Sequence, residues 1–390
     1  MIDYSSVLSR TVVDLKKSGI RKFFDLLDNK DMKDVVALTV GQPDFVTPWH
    51  IREAGIESLQ RGKTYYTSNS GMPQLRQEIA TYLKRRFDLS YRPEETIVTV
   101  GGSEAIDLAI RAVIEPGDEV IIPTPCFVCY EPITRMAGGV PVIIETKLED
   151  RFKLTPEALR AAITPRTKML VLPYPNNPTG AILTREELEE IAAVLRDTNI
   201  VVLSDEIYAE LTFGRKHTSI AAIDGMWART ILASGFSKAY AMTGWRMGYI
   251  AAPAPLTEQM LKIHQYAIMC APTTSQFAAI EALKNGDDDI AMMAEEYDRR
   301  RRYIHEGLRD IGIEAFEPEG AFYIYPYIGG FGISSDEFCQ RLLYEGRCAI
   351  VPGTAFGAGG EGFARISYAY SIKHITEALA RIEKFVKTLK

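Results

Sequence analysis

Long apolar runs are missing from this 390-residue sequence. The longest are about six residues, against the roughly 20 needed to span a bilayer. The opening stretch, MIDYSSVLSRTVVDLKK, lacks the apolar centre of a signal peptide and carries acidic side chains early. A cytoplasmic location is therefore expected, with no membrane partner. Excess positive charge is missing too: 45 Lys and Arg stand against 51 Asp and Glu, a formal net charge of -6. That balance gives no general attraction to nucleic acid. Cysteines are few and odd in number, five in all, so reduced thiols are expected rather than a disulfide framework. Cys126 and Cys129 form a C-x-x-C, but no second pair or nearby His completes a metal or redox site. No metal is expected. No internal repeat or low-complexity segment stands out.

What remains is ordinary globular material, 46% hydrophobic and 25% charged. The length exceeds one compact core, so two domains are expected. The middle of the chain alternates short β-branched runs with helical patterns. Strands are predicted at Thr96–Val100, Glu119–Pro123, Val140–Glu145, Met169–Pro173, Ile200–Ser204, Thr230–Ala233 and Gly248–Ala252. Helices are predicted between them: Ser103–Ile114 after a Gly pair, Thr155–Ala162 with Pro at its first position, and Thr184–Leu195 with a capping-box spacing from Thr184 to Glu187. Such alternation argues for an α/β domain with a mostly parallel sheet. From about residue 286 the texture changes. Asp287, Asp288 and Asp289 open a long charged helix. Its basic run, Arg299 to Arg302, has Glu295, Glu296 and Asp298 beside it and reads as a solvated helix face. The last hundred residues read as α+β, with strands near Ala321–Pro326 and Ala364–Ala369 and a final amphipathic helix.

Lys238 lies between an apolar strand and a Gly/Ser turn, where a lysine adds little to packing. Partial desolvation there lowers an amine's pKa and makes it nucleophilic. Taken alone it reads equally as a surface turn lysine. Asp205 ends a predicted strand, which aims a carboxylate into the crevice where α/β sheets bind ligands; a helix N-cap is the plain alternative. Tyr208 follows three residues on. Val98 to Ala105 runs strand, Gly pair, helix, a ready anion site because the first N–H groups of a helix are unpaired. Arg246 can supply a cation to it and Ser237 a hydroxyl. Pro173 to Gly180 ends another strand in a Pro-stiffened loop that presents Asn177, or forms a plain turn.

Together these pieces resemble the class I/II aminotransferases, fold-type-I pyridoxal phosphate enzymes. The matching stretches are GQPDF (Gly41–Phe45), YTSNSGMPQLR (Tyr66–Arg76), VGGSEAID (Val100–Asp107), PGDEV (Pro116–Val120), NNPTG (Asn176–Gly180), SDEIY (Ser204–Tyr208), SKAYAMTGWRMGY (Ser237–Tyr249) and ARISYA (Ala364–Ala369). They come in the family's order and cover nearly the whole chain. The resemblance implies a large domain, 46–285, with a mostly parallel seven-stranded sheet, and a smaller α+β domain made of 1–45 and 286–390. It implies that Lys238 carries the cofactor and later moves the α-proton. Asp205 would pair with the ring nitrogen. Tyr208 and Asn177 would bond the ring hydroxyl, and Phe127 would stack on the ring. Gly102, Ser103, Ser237 and Arg246 would hold the phosphate. Arg365 would take the substrate carboxylate in a bidentate fork, assisted by the Gly41 backbone. Tyr66 would reach the phosphate in a neighbouring subunit, which implies a homodimer with shared sites. Many relatives carry Ser three residues before the lysine; here that position is Gly235, with Ser234 as a candidate substitute.

SGIRKF (Ser18–Phe23), the segment His264 to Gln276 and GAFYIYP (Gly320–Pro326) look especially like bacterial N-acetyl-diaminopimelate aminotransferases, which overlap with aromatic aminotransferases. Transfer from such a donor to 2-oxoglutarate is the expected activity. Two rivals differ in kind. A carbon–sulfur β-lyase would share the lysine, aspartate and arginine. A cofactor-bearing transcription regulator would need a DNA-binding domain ahead of GQPDF, and only 40 residues precede it.

Overall fold

The computed structural model describes residues 2–17, 19, 32 and 34–389. Most of SGIRKF therefore lies outside the described residues. Twelve strands are present among those described: β1 (Val36–Ala37), β2 (Thr96–Thr99), β3 (Glu119–Thr124), β4 (Val140–Glu145), β5 (Thr167–Leu172), β6 (Val201–Asp205), β7 (Thr230–Gly235), β8 (Gly248–Ala251), β9 (Tyr323–Ile324), β10 (Cys348–Ala349), β11 (Val351–Pro352) and β12 (Ala364–Ser367).

Seven of them form one sheet in the order β2-β8-β7-β6-β5-β3-β4. Only β8 runs against its neighbours, β2 and β7; the other pairings are parallel. The expected mostly parallel sheet is thus present. Strands β2, β3, β7 and β8 are buried along their whole length. That is why they read as continuous apolar runs and not as alternating ones. Their termini moved by a residue or two from the sequence reading. Helix ends follow the capping signals. Thr184 accepts from Glu187 N while the Glu187 carboxylate accepts from Thr184 N at 2.7 Å.

The C-terminal part builds around a three-stranded antiparallel sheet, β11-β12-β9, and a parallel pair, β1 with β10. Three helices cover them: Asp287–Ile311, Ser335–Tyr344 and Ile372–Val386. Their apolar faces share one core with Phe322, Ile324, Ile366 and Tyr368. No described helix is long and apolar enough to cross a membrane.

The basic run corrects one expectation. Arg299 and Arg302 do lie on the outer face, but Arg300 is only 5% exposed. Its guanidinium binds Asp44 and Glu296, and Arg301 is held by Asp298 and Glu317. Periodicity around the helix turns every third or fourth side chain inward, so a run of four charges cannot all face water.

Candidate active site

The C-terminal ends of the parallel strands converge on one cavity of about 370 Å³, within the usual size of a cofactor site. β6 ends in Asp205, and after β7 comes Lys238. The loop beyond β5 brings Pro173, Pro175 and Asn177; the turn after β2 brings Gly102 and Ser103. Val40, Gly41 and Gln42 from the segment after β1, and Tyr323 and Arg365 from β9 and β12, complete the wall.

Lys238 Nζ donates to Gly41 O at 2.6 Å. It also sits 5.7 Å from the ring centres of both Tyr208 and Phe322. Burial lowers its pKa from 10.5 to about 8, with the Arg365 and Arg246 charges pushing the same way. The expectation of a desolvated amine is met by the geometry. Asp205 accepts from Tyr130 Oη at 2.7 Å and from Ile207 N at 3.1 Å. Burial holds its carboxyl above the usual range, and the Tyr130 bond pulls it back down. The contact to Ile207 closes a turn and not a helix, since no helix starts after Asp205 before Ile220, so the N-cap alternative is not met.

Arg365 is 2% exposed. One Nη donates to Asn177 Oδ1 at 3.0 Å and the other to Thr39 O at 2.6 Å, while its buried Nε has no partner. The guanidinium lies between the rings of Tyr323, 4.6 Å away, and Phe356, 4.8 Å away. A buried cation with an unsatisfied donor facing a cavity calls for an anion.

The turn Gly101–Gly102 opens the helix Gly102–Val113. Gly101 has φ +77, and a Cβ there would run into the Arg246 guanidinium. The close approach of arginine to bare backbone is why glycine is needed. Arg246 itself is left-handed, φ +53, and donates to Thr243 O at 3.0 Å. Ser103, Ser237, Thr243 and Arg246 surround this helix end within the cavity wall. Among the described residues the wall holds three cations, Lys238, Arg246 and Arg365, against one carboxylate, Asp205. Such a donor set fits a phosphate at the helix N-terminus and a carboxylate beside Arg365. A basic ring nitrogen suits the acid at Asp205. The residues present thus fit pyridoxal phosphate.

Of the residues singled out by sequence, Gly41, Gly102, Ser103, Phe127, Asn177, Asp205, Tyr208, Ser237, Lys238, Arg246 and Arg365 all line this cavity. Tyr66 does not; it is 77% exposed on the surface. Ser234 does not fill the place left by Gly235, because its hydroxyl donates to Glu206 O at 3.1 Å. A Cβ on Gly235 would stand 2.9 Å from Gly248 Cα and from Met247 O, so close strand packing excludes a side chain there. Cys126 and Cys129 are free thiols, and burial pushes both up in pKa. Among the described residues no cluster of three or more His, Cys, Asp or Glu could hold a metal.

Sequence reasoning missed Tyr130 and Tyr323. Tyr323 Oη lies 2.8 Å from Tyr208 Oη, so the two hydroxyls share a hydrogen bond. GAFYIYP contained Tyr323, but its role rests on a contact 115 residues away that no local pattern shows.

The comparisons agree with this geometry. The profile of the aminotransferase class I and II family matches residues 33–382. A Bacillus subtilis (strain 168) protein named a probable N-acetyl-LL-diaminopimelate aminotransferase is 46% identical over 374 residues, covering 96% of this chain and 94% of that one. An aspartate aminotransferase of Pyrococcus abyssi is 43% identical over 377 residues, 96% of each. A solved aromatic aminotransferase from Pyrococcus horikoshii OT3 superimposes with a TM-score of 0.89 at 41% identity, over 95% of this chain and 99% of that one.

Proposed function

The chain belongs to the class I and II aminotransferases, and from that premise we propose that it moves the amino group of N-acetyl-LL-diaminopimelate or of an aromatic L-amino acid to 2-oxoglutarate. Aminotransferase activity and dependence on pyridoxal phosphate come with the family; the relatives favour the transferase over the β-lyase. The observation that carries the donor class is the cavity wall. Lys238 and Arg246 serve the cofactor and Arg365 the α-carboxylate, so among the described residues the wall has no further cation, which favours an aromatic over an acidic side chain; N-acetyl-LL-diaminopimelate, whose side chain ends in a second carboxylate, is supported by the relative named for it instead. Ile106, Phe127, Tyr130, Pro173, Pro175 and Ile207 instead give apolar and aromatic surface. Relatives named for both donor types support the same reading.

Each residue then has a task. Gly102, Ser103, Ser237 and Arg246 hold the phosphate, Phe127 lies on the ring face, and Asn177 and Tyr208 bond the ring hydroxyl. Pyridoxal phosphate, when bound, supplies an aldehyde for the amino group and a ring that draws electrons from the α-carbon. Asp205 keeps the ring nitrogen protonated by its negative charge. Arg365 fixes the substrate carboxylate, with the Gly41 backbone beside it, and so sets which α-bond faces Lys238. The Lys238 amine, with a midpoint about 8, would take the α-proton and return it to the carbon on the far side of the amino nitrogen. Donor and acceptor occupy one cavity in turn, which gives ping-pong kinetics.

The unit 1–45 with 286–390 closes over the substrate held on 46–285. Two chains pair so that Tyr66 of the partner subunit reaches the phosphate. The exposed Val46, Trp49, Tyr66 and Tyr266 supply apolar area for that pairing. The enzyme works in the cytoplasm, in amino acid biosynthesis. Absorbance of the purified enzyme, with one donor added at a time, tests the donor. Loss of the cofactor band with phenylalanine, tyrosine or N-acetyl-LL-diaminopimelate, and its return with 2-oxoglutarate, is the expected result. Conversion by aspartate alone would overturn the donor class.

A further inference from the structure

The basic run on the helix Asp287–Ile311 and the GQPDF stretch meet at a point outside the cavity. Arg300 Nη1 lies 2.8 and 2.9 Å from the two Asp44 carboxylate oxygens, and its Nε donates to Glu296 at 2.8 Å. Its guanidinium stands 5.4 Å from the Phe45 ring and 5.6 Å from the Tyr297 ring. Phe45 and Tyr297 meet edge to face at 5.4 Å. Neither Asp44 nor Arg300 lines the active-site cavity.

Between Leu38 and Asp44 the backbone crosses the site. At its near end Leu38 is fixed to the smaller unit: Leu38 N donates to Ala349 O at 2.8 Å and Ser367 N to Leu38 O at 2.9 Å. Within the crossing, Thr39 O accepts from Arg365 and Gly41 O accepts from Lys238. Past Asp44 the next tie is Thr47, whose hydroxyl donates to Ala241 O at 2.6 Å and accepts from Trp245. Ala241 and Trp245 belong to the other unit. Asp44 is therefore the far post that keeps the crossing attached to the same unit as Leu38.

We infer that Arg300 and Asp44 are positioning residues for substrate binding, clamping the segment 39–43 so that its carbonyls hold Arg365 and Lys238 in place. Val40 N also donates to Tyr370 Oη at 3.3 Å, so without the clamp the free span runs from Val40 to Thr47, and it bridges two units instead of one. A longer span has more conformations to lose when the site orders. The guanidinium reaches Asp44 through Nη1 and Glu296 through Nε while lying beside two rings, which the single ammonium of a lysine cannot do. The helix Asp287–Ile311 thereby carries the roof of the site with it.

The inference rests on Arg365 as the carboxylate-binding group, so the test carries that variant in parallel. Asp44→Asn, Arg300→Lys and Arg365→Lys are purified with cofactor. Kinetics use L-phenylalanine and N-acetyl-LL-diaminopimelate as donor probes with 2-oxoglutarate, and cofactor affinity is titrated separately. Asp44→Asn and Arg300→Lys should each raise donor KM by roughly ten- to a hundredfold, the range for a small misplacement of a binding group. kcat should change far less, as for an interaction made equally in ground and transition states. Cofactor affinity should not move, because the phosphate cup is built on other elements. Asp44 is partly exposed, so Asp44→Asn alone decides the matter if Arg300→Lys does not fold. An unchanged KM in Asp44→Asn, or a joint fall of kcat, cofactor affinity and melting temperature, would overturn the clamp. If Arg365→Lys also leaves KM unchanged, the carboxylate reading itself falls. If Arg365→Lys raises KM and Asp44→Asn does not, only the clamp falls.

Discussion

The Lys238 amine offers the most direct test of the site. Its midpoint is lowered from 10.5 to about 8. At pH 7 an amine of midpoint 10.5 is uncharged in about one molecule in 3,000, whereas one of midpoint 8 is uncharged in about one in ten, a gain of about 300-fold. Desolvation is the largest cause, followed by the Arg365 and Arg246 charges. The assay is competitive acetylation of cofactor-stripped protein with trace acetic anhydride from pH 6 to 11. A blocked lysine amide serves as internal standard, and the Lys238 peptide is read by mass spectrometry. Only the uncharged amine reacts, so labelling of Lys238 should climb tenfold per pH unit and level off just above 8. The standard should keep climbing towards 10.5. Arg365→Met should shift the Lys238 midpoint upward, since removing a neighbouring cation relieves the ammonium form. It should not restore 10.5, because desolvation remains. A Lys238 profile that tracks the standard would refute the reasoning, and with it the claim that burial prepares this amine for proton transfer.

Three further outcomes are expected. Gly101→Ala should weaken pyridoxal phosphate binding by about tenfold or more, the effect of a strained residue at positive φ. Its Cβ also meets Arg246, whereas Gly62→Ala, at φ +66 with open space around it, should leave the fluorescence-titrated affinity unchanged. Tyr130→Phe removes the bond that pulls the Asp205 carboxyl down against burial, so the protonated acid should persist to higher pH. The acid limb of the kcat/KM profile should move up in pH, and an unmoved limb would break the link between Tyr130 and Asp205. Thr184→Ala removes one half of a capping box and should cost about 1 kcal/mol of stability, visible as a lower midpoint in urea, with kcat and KM untouched.

Much of this architecture was legible in the sequence because parallel strands are short, buried and apolar, and because their ends carry the chemistry. Asp205 and Lys238 could be picked out as polar residues just past such runs. Gly101 and Gly102 could be picked out as a break between strand and helix. Local pattern does not reach the contacts that finish the site. Tyr130 lies on the short helix Tyr130–Met136 and meets Asp205 only because β3 and β6 belong to one sheet. Arg300 looked like one of four solvated charges, since its partner Asp44 is 256 residues away. The Gly235 departure looked like a missing hydroxyl. It is a packing requirement instead: β7 and β8 pair Gly235 with Gly248 across the sheet, and the second glycine in turn lies against Gly101.

That last contact joins three glycines from three strands' ends into one constraint. A Cβ on Gly248 would stand 2.6 Å from the Gly101 carbonyl carbon, so β8 must approach the phosphate turn without side chains. Arg246 sits two residues before Gly248 and takes its left-handed turn there. The cation thereby arrives beside Gly101 from an antiparallel strand, while the helix N–H groups arrive from a parallel one. The single reversed strand in an otherwise parallel sheet is thus what brings Arg246 and the helix terminus together, as the proposed phosphate site requires. A sheet with β8 running the other way would deliver Arg246 to the opposite edge and leave the helix end without its cation.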